Sequence, residues 1–238
     1  MRIYKIINFK YLILFIFSSS LLLSGCVNYF PMGVLKSTKK LELEGEGLLL
    51  ASFEITNKFR PKFQPKVTAI RLQGFGDDSN NKNYFFEPDS EGTYVHSKGY
   101  KYLLRMKVPA GKYVLRGADC GYNGLIVKGY CFMPIHSDIT VSSDKVIYLG
   151  NIRGEMRERN EDEFRAGPLI PIIDQAITGY YTSTFDVLIS DAWIEDEKSF
   201  ISIFPALEQA EIIQKVMLPF DKERAYKWWG SNGKSEEN

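Results

Sequence analysis

The feature that most constrains the fold is a repeated alternation of apolar and polar residues in short segments. One face of the first such segment carries Leu49, Ala51, Phe53 and Ile55, and the other face carries Ser52, Glu54 and Thr56. Successive side chains of a strand point to opposite faces, so a period of two predicts a half-buried β-strand. Further segments of this kind are residues 66–75, 100–108, 112–116, 132–141, 145–153 and 180–190. Strands separated by turns at intervals of roughly 8 to 12 residues are typical of a β-sandwich or barrel.

The turn at Pro109-Ala110-Gly111 marks the most strongly predicted hairpin. It separates Tyr100–Val108 from Lys112–Arg116. Proline presets the φ angle that such a turn needs, and glycine tolerates positive φ. We therefore expect these two strands to pair.

Two segments resemble parts of a known protein class. VPAGKYVL at 108–115 and ITVSSDKVIYLGNI at 139–152 are similar to segments of bacterial lipoproteins built on a transthyretin-like, or carboxypeptidase-regulatory-like, β-sandwich. The resemblance covers structural turns and strands and implies no activity. It implies a mainly β fold, an antiparallel β-sandwich, which we place at residues 45–190.

The hydrophobic period changes after Ser190. Asp191 is suited to cap a helix whose first turn is acidic, and an amphipathic pattern predicts a second helix from Ala206 to Met217. Residues 191–229 are therefore predicted to form C-terminal helices with an aromatic latch. Its aromatic residues are Tyr226, Trp228 and Trp229, for which an interface role is the alternative. Residues 230–238 are predicted to form a disordered tail.

The N-terminus has the pattern of an export signal. Arg2, Lys5 and Lys10 precede an uncharged stretch from Tyr11 to Leu23. This run is interrupted by serines and is a weak candidate for a permanent membrane span, which needs roughly 20 apolar residues. Residues 1–25 are therefore predicted to be a signal peptide.

Leu23-Ser24-Gly25-Cys26 resembles the lipobox of bacterial lipoproteins. The resemblance implies cleavage after Gly25, a diacylglycerol on the Cys26 sulfur and a lipidated tether at residues 26–44. Two or more acyl chains anchor a protein stably. Val27 favours the outer membrane by the same similarity. An ordinary cleaved signal with a chance cysteine and an uncleaved anchor are the alternatives.

The net charge of the chain argues against nucleic acid as a partner. Residues 1–25 contain three of the 30 basic residues and none of the 29 acidic residues, so the remaining chain has a formal charge of −2. A near-neutral chain lacks the electrostatic footprint of a nucleic-acid-binding protein.

Cys120 and Cys131 are the two remaining cysteines, and in an exported protein such a pair predicts a disulfide. A two-residue hairpin turn at Asn123-Gly124 would instead offset them by about 13 Å, beyond the reach of a disulfide. We expect the disulfide, with Gly121–Tyr130 as a broad loop. Two free, buried thiols are the alternative.

Residues with catalytic or metal-binding chemistry are few. His136 and Asp138 would share one face of a strand and could begin a metal site, but such a site needs three or four ligands. Cys120 with His136 as its base would be a nucleophile in principle. His96 and the acidic pair Asp77-Asp78 are interpreted as solvated loop residues, without a calcium-loop pattern. No catalytic residue, metal or cofactor is therefore assigned.

A highly charged segment from Arg153 to Arg165 is predicted to be a solvated, mobile excursion, with a partner-binding loop as the alternative. Residues 168–177 are more apolar and would dock that excursion on the core.

These observations predict a bacterial envelope protein, anchored by lipid and favouring the outer membrane. Its domain would be a non-catalytic binding or scaffolding module with an envelope protein partner, in one version within a larger envelope or secretion assembly. Two alternatives stay open. One is an envelope hydrolase or metal-dependent enzyme using His136 and Asp138, and the other is a small-molecule or glycan binder using exposed aromatic residues.

Overall fold

The computed structural model describes residues 28–75, 82–96, 99–168 and 175–232. The predicted signal peptide, Cys26 and the Asp77-Asp78 pair lie outside these ranges. The strands are β1 (Tyr29–Phe30), β2 (Glu46–Asn57), β3 (Lys66–Phe75), β4 (Asn83–Phe86), β5 (Thr93–His96), β6 (Gly99–Pro109), β7 (Gly111–Asn123), β8 (Lys128–Val141), β9 (Val146–Glu158), β10 (Ser183–Ser190) and β11 (Ile212–Gln214). The helices are α1 (Trp193–Ile203) and α2 (Lys222–Asn232), with a 3₁₀ turn at Pro205–Leu207.

The strands form two sheets. Sheet A has the order β1-β4-β3-β7-β8, and sheet B has the order β10-β9-β2-β6-β5, with β11 beside β9. A continuous apolar core lies between them. The predicted mainly β fold with two sheets and a helical C-terminus is confirmed. The sheets are mixed rather than purely antiparallel, because β1–β4, β2–β9 and β9–β11 are parallel pairs.

Strand β2 is buried on both faces. The predicted alternation is correct, since Leu49 and Phe53 point into the core between the sheets. Leu48 and Leu50 point the other way, into a second apolar cluster with Phe200 of helix α1. An apolar residue on the outer face of this strand is therefore explained by the helix that covers it.

Strands β6 and β7 do not form the predicted hairpin. Strand β6 pairs with β2 and β5, whereas β7 pairs with β3 and β8. The turn at Pro109-Ala110-Gly111 instead carries the chain from sheet B to sheet A. Three residues span about 10 Å, which is the spacing of two packed sheets, so the turn residues are compatible with either connection.

The segment predicted as a tether packs on the domain from its fourth residue, Tyr29. Tyr29 and Phe30 pair with β4, and Met32 and Val34 are buried. The Gly33 amide donates to the Arg105 carbonyl at 2.7 Å. This stretch is therefore part of the folded structure.

The predicted helix from Ala206 to Met217 is wrong. The chain forms the 3₁₀ turn and then β11, which pairs in parallel with β9 at Val146–Tyr148. Met217 is buried in the core between the sheets. As a strand, this segment forms backbone hydrogen bonds with an edge of β9 that would otherwise be free. An amphipathic helix would leave that edge unpaired.

The hairpin of β7 and β8 brings the two cysteines together and does not contain the two-residue turn at Asn123-Gly124 that would have kept them apart. Asn123 pairs with Lys128 and Cys120 pairs with Cys131. The two cysteines lie at disulfide distance, with Cα atoms 4.8 Å apart, which supports the predicted disulfide. The expected broad loop is wrong, because the turn comprises only residues 124–127 and the strands continue to it.

The charged segment is ordered over much of its length. Strand β9 extends to Glu158, so half of the predicted excursion lies in a sheet. Beyond it, Glu163 accepts hydrogen bonds from Arg157 at 2.7 Å and from Lys222 at 2.6 Å. The prediction of a solvated excursion is therefore wrong for residues 153–158, which lie in β9. The docking predicted for residues 168–177 falls largely outside the described ranges.

Helix α2 lies on the outer face of sheet A. The Trp228 ring lies 6.0 Å from Phe132 and 5.4 Å from His136 between ring centroids, and the Tyr226 hydroxyl accepts a hydrogen bond from the Phe164 amide at 2.8 Å. Tyr226 and Trp228 thus latch this helix onto the sheet, and the Trp229 side chain is not described. Neither described helix combines the length and the apolar character needed to cross a membrane.

Candidate binding site

His136 and Asp138 are brought together, but arginines hold both. Nη1 of Arg116 lies 3.0 Å and 2.9 Å from the two ring nitrogens of His136. Arg224 of helix α2 donates to both carboxylate oxygens of Asp138 at 2.8 Å and 2.6 Å. A ligand pair for a cation would not be flanked by two guanidinium groups, so this geometry argues against a metal centre here.

The electrostatics of this cluster follow from its burial and its charges. Burial, together with the positive charges of Arg116 and Arg224, lowers the pKa of His136 from 6.5 to about 4. Hydrogen bonds from Arg224 lower the pKa of Asp138. The imidazole is therefore neutral at pH 7. Within the described ranges, no group of three or more His, Cys, Asp or Glu side chains could hold a metal ion.

A bulge in the β7–β8 ladder creates this arrangement. The register shifts between Leu115 and Gly117, and His136 has a φ of 53°. Gly117 has a φ of +152°, and a Cβ there would lie 2.2 Å from the Met133 carbonyl oxygen. Only glycine fits this position. Cys120, the other nucleophile considered, pairs with Cys131, and the His96 side chain is not described.

A buried carboxylate that the sequence did not single out joins helix α1 to sheet B. Asp196 is fully buried. It accepts hydrogen bonds from the Ser52 hydroxyl, from the Tyr148 hydroxyl at 2.6 Å and from Lys101 Nζ at 3.1 Å. Ser52 also accepts one from Asn151 at 2.7 Å. Because Ser52 is inaccessible to a substrate, this network serves to hold the helix.

A cleft of about 610 Å³ lies at the end of the sandwich where β3 and β6 begin and where the β7–β8 hairpin turns. Its lining residues are Gln64, Lys66, Thr68, Tyr100, Gly121, Tyr122, Asn123, Lys128, Gly129 and Tyr130. Four separate strands and the β2–β3 connection thus supply the site.

The three tyrosines of this cleft are held in different ways. Tyr122 packs edge-on against Phe63, with ring centroids 5.2 Å apart. Lys66 Nζ lies 5.2 Å from the centroid of the Tyr100 ring. Tyr130 is the most accessible of the three, with 48% of its surface exposed, while its backbone amide donates to Gln175 at 2.6 Å. Tyr122 and Tyr100 are therefore held by neighbouring side chains, and the exposed ring of Tyr130 is available to a ligand.

The side chains that line the cleft are suited to non-covalent recognition of a ligand. Tyrosine combines a flat apolar face with a hydroxyl that can donate or accept a hydrogen bond. Lys66 and Lys128 add positive charge, and Asn123 adds an amide. The described lining residues include no histidine, cysteine, serine or carboxylate.

A larger groove of about 1030 Å³ lies between residues 36–43, the β8–β9 connection and the segment after α1. Lys145 and Glu211 form an ion pair across part of it at 2.8 Å. Its walls carry four lysines, three acidic residues and several aliphatic side chains, but no aromatic ring. The tyrosine cleft is therefore the stronger candidate, despite its smaller volume.

Comparison with known proteins finds no matching family model, no matching curated protein and no matching solved structure. The candidate site therefore rests on geometry. The sequence suggested, as one alternative, a small-molecule or glycan binder that uses exposed aromatic residues. It gave no sign that Tyr100, Tyr122 and Tyr130 would share one cleft.

Proposed function

We propose that this chain is a lipid-anchored protein of a bacterial envelope, whose β-sandwich is a non-catalytic binding or scaffolding module. The tyrosine cleft is the observation that supports the proposal. It presents aromatic faces, two ammonium groups and an amide at an accessible end of a rigid sandwich. In this proposal, an envelope partner is recognised there, either as a single ligand or within a larger assembly.

The anchor in this proposal is the thioether lipid on Cys26. Two residues separate Cys26 from Tyr29, where β1 begins, so the path between them is three residue steps long. A chain extends at most about 3.6 Å per residue, so three residues reach about 11 Å. The lipid would therefore hold the folded domain close to the bilayer, without the long tether that residues 26–44 were expected to provide.

The anchor is tested by mass and by fractionation. The protein is purified from detergent-solubilised bacterial membranes, and its intact mass is compared with that of Cys26→Ser. A chain beginning at residue 26 with the mass of added acyl chains is expected, and the serine variant should leave the membrane fraction. An unmodified thiol at Cys26, or a wild-type protein that is found free of membranes, would refute the anchor.

The cleft is tested by photo-crosslinking in cells. A photoreactive amino acid is placed at Tyr130, with Tyr94 as the matched control position, because Tyr94 is also an exposed tyrosine but is not among the residues that line the cleft. We expect a discrete crosslinked species at position 130 that is lost when Lys66 and Lys128 are replaced by Ala. Equal crosslinking at both positions would exclude the cleft as the binding site.

A further inference from the structure

The β7–β8 hairpin ends in an exposed apolar tip. Leu125 is 100% exposed and Ile126 is 90% exposed. The turn itself is closed by a hydrogen bond from the Gly124 amide to the Val127 carbonyl at 2.9 Å. Two adjacent aliphatic side chains that project fully into solvent are unfavourable for a protein surrounded by water.

The tip stands on a stiff stem. The two strands pair continuously from Asn123 and Lys128 at the turn to Cys120 and Cys131, where the cysteines lie at disulfide distance. Phe63 packs on Tyr122 from the β2–β3 connection. The two aliphatic side chains are therefore presented in a fixed position and would lose little conformational freedom on binding.

Basic residues lie on the hairpin, at Lys128, and on the segment that packs against its stem through Phe63. The β2–β3 connection and its flanks at 58–66 contain four basic residues, and neither this segment nor residues 120–131 contains an acidic residue. Lys58 is paired with Glu155. Among the described residues, no carboxylate lies within ion-pair distance of Arg60, Lys62, Lys66 or Lys128, all of which are exposed.

We propose that the tip at residues 124–127 is a membrane-contact site that inserts Leu125 and Ile126 into the boundary of an anionic bilayer, with these lysines on the lipid phosphates. Apolar side chains flanked by basic residues bind such surfaces by combining buried area with charge attraction. A specific protein interface needs about 1,000 Å² or more of buried surface. Two side chains on a convex turn supply too little apolar surface for that.

This site goes beyond the proposed function and does not depend on Cys26. It would give the domain a contact with lipid that is separate from the acyl anchor. The tip also lies beside the tyrosine cleft, so binding to the bilayer would fix which way the cleft faces.

The proposal is tested with protein that carries no lipid. The chain from residue 26 with Cys26→Ser is mixed with vesicles of phosphatidylcholine, with or without phosphatidylglycerol, and bound protein is measured by sedimentation. We expect binding only to the anionic vesicles, weakened by salt. Replacing Leu125 and Ile126 with Ser should lower the partition coefficient by about tenfold or more. The pair Lys62→Glu and Lys128→Glu should lower it to a similar degree at low salt.

Matched controls keep these results interpretable. Ile194→Ser with Leu218→Ser removes two aliphatic side chains elsewhere that are 75% and 80% exposed, and Lys39→Glu with Lys198→Glu makes the same change of charge at other exposed lysines. Both controls should bind as the parent does. Circular dichroism of each variant verifies folding, since only exposed side chains are changed.

Three outcomes are decisive. Binding that requires the tip and the anionic lipid supports the proposal. Absence of vesicle binding overturns it, and if the tip were then still needed for crosslinking in cells, the occupant would be a protein. Retention of vesicle binding by Tyr130→Ala would show that the membrane contact does not depend on the tyrosine cleft. The two proposals can then be tested separately.

Discussion

Arg105 shows how single polar side chains fasten this fold. Its guanidinium group is fully buried, donates to the carbonyl oxygen of Val34 at 2.8 Å and pairs with Asp89. It also lies 3.9 Å from the centroid of the Phe204 ring. Burial lowers the pKa of Arg105, and the charge of Asp89 opposes that effect. One side chain therefore connects the N-terminal segment, the connection before β5 and the end of helix α1.

His136 should make stability depend on pH. Its pKa in the folded protein is about 4, below the value of about 6.5 for an unfolded chain. The unfolded chain therefore binds more protons between these two values, and stability rises with pH across this window. We expect the free energy of unfolding to fall by about 2 kcal/mol between pH 7 and pH 4.5 because of this residue.

Urea unfolding of the wild type and of His136→Gln at several pH values isolates that contribution. Carboxylates such as Asp138 titrate in both proteins, so the difference between the two curves reports the imidazole. The variant should show the smaller loss of stability in acid. Parallel curves for the two proteins would mean that His136 is not held in its neutral form by Arg116.

At the scale of elements, Asp196 should determine how firmly helix α1 is attached. Replacing Asp196 with Ala leaves the Tyr148 hydroxyl without its buried acceptor, whereas the partly exposed Lys101 ammonium keeps Glu54 at 3.6 Å. A buried hydroxyl that loses its only acceptor costs about 1 to 3 kcal/mol, and we expect that loss in urea unfolding. Asp196→Asn keeps an acceptor and should lose less. Glu195→Ala, an exposed change in the same turn, should cost under about 0.5 kcal/mol. Equal losses for Asp196→Ala and Glu195→Ala would contradict this role.

The stem of the β7–β8 hairpin carries a separate prediction. Cys120 and Cys131 are separated by 11 residues, and closing a loop of that size stabilises a protein by about 3 kcal/mol in the chain-entropy model. Replacing both with Ala should lower the melting temperature by roughly 6 to 12 °C. Wild-type protein treated with a thiol reductant should show the same shift. If reduction leaves the melting temperature unchanged, the two cysteines are not linked.

The positions of the strands could be predicted from the sequence better than the way in which the strands pair. Alternation identified β2 correctly because each strand residue reports which face it occupies. The same local pattern does not determine which edge a strand joins, as the wrong β6–β7 hairpin shows. The apolar spacing in residues 206–217 also fits a helix, yet the open edge of β9 made a short strand the better solution. Long-range pairing decided both cases.

The candidate site was less predictable for a related reason. Tyr100, Tyr122 and Tyr130 come from three strands of two sheets, so no spacing rule connects them. His136 and Asp138 were correctly expected to lie together. Their chemistry is set by Arg116 and by Arg224, which lies 86 residues beyond Asp138, and pairing over such a distance leaves no local signal.

At the scale of the whole molecule, a helix covers part of each outer face of the two packed sheets. Helix α1 covers sheet B through Phe200, and α2 covers sheet A through Trp228. A sheet with an exposed outer face would show polar residues there, whereas a covered one carries apolar residues on both sides. The C-terminal segment therefore completes the domain, which explains why Leu48 and Phe132 are buried on outward-facing positions.

Removal of helix α2 should expose how much of the molecule depends on it. A chain ending after Phe220 loses the ion pairs of Lys222 with Glu163 and of Arg224 with Asp138, together with the packing of Trp228 on His136. We expect amide hydrogens in residues 159–168 to exchange at least about tenfold faster, because local opening there would cost less free energy. The pKa of His136 should rise toward its ordinary value as solvent reaches the ring.

Hydrogen exchange measured by mass spectrometry, together with NMR titration of the imidazole, reports both effects. A chain ending after Asn232 retains the helix and serves as the control, with exchange and titration expected to match the full chain. If exchange in 159–168 stayed slow without the helix, the pairing of Glu163 with Arg157 would be sufficient to hold that segment on β9. Helix α2 would then not contribute to the stability of the segment. Faster exchange together with a raised pKa would instead show that sheet A and helix α2 form one cooperative unit.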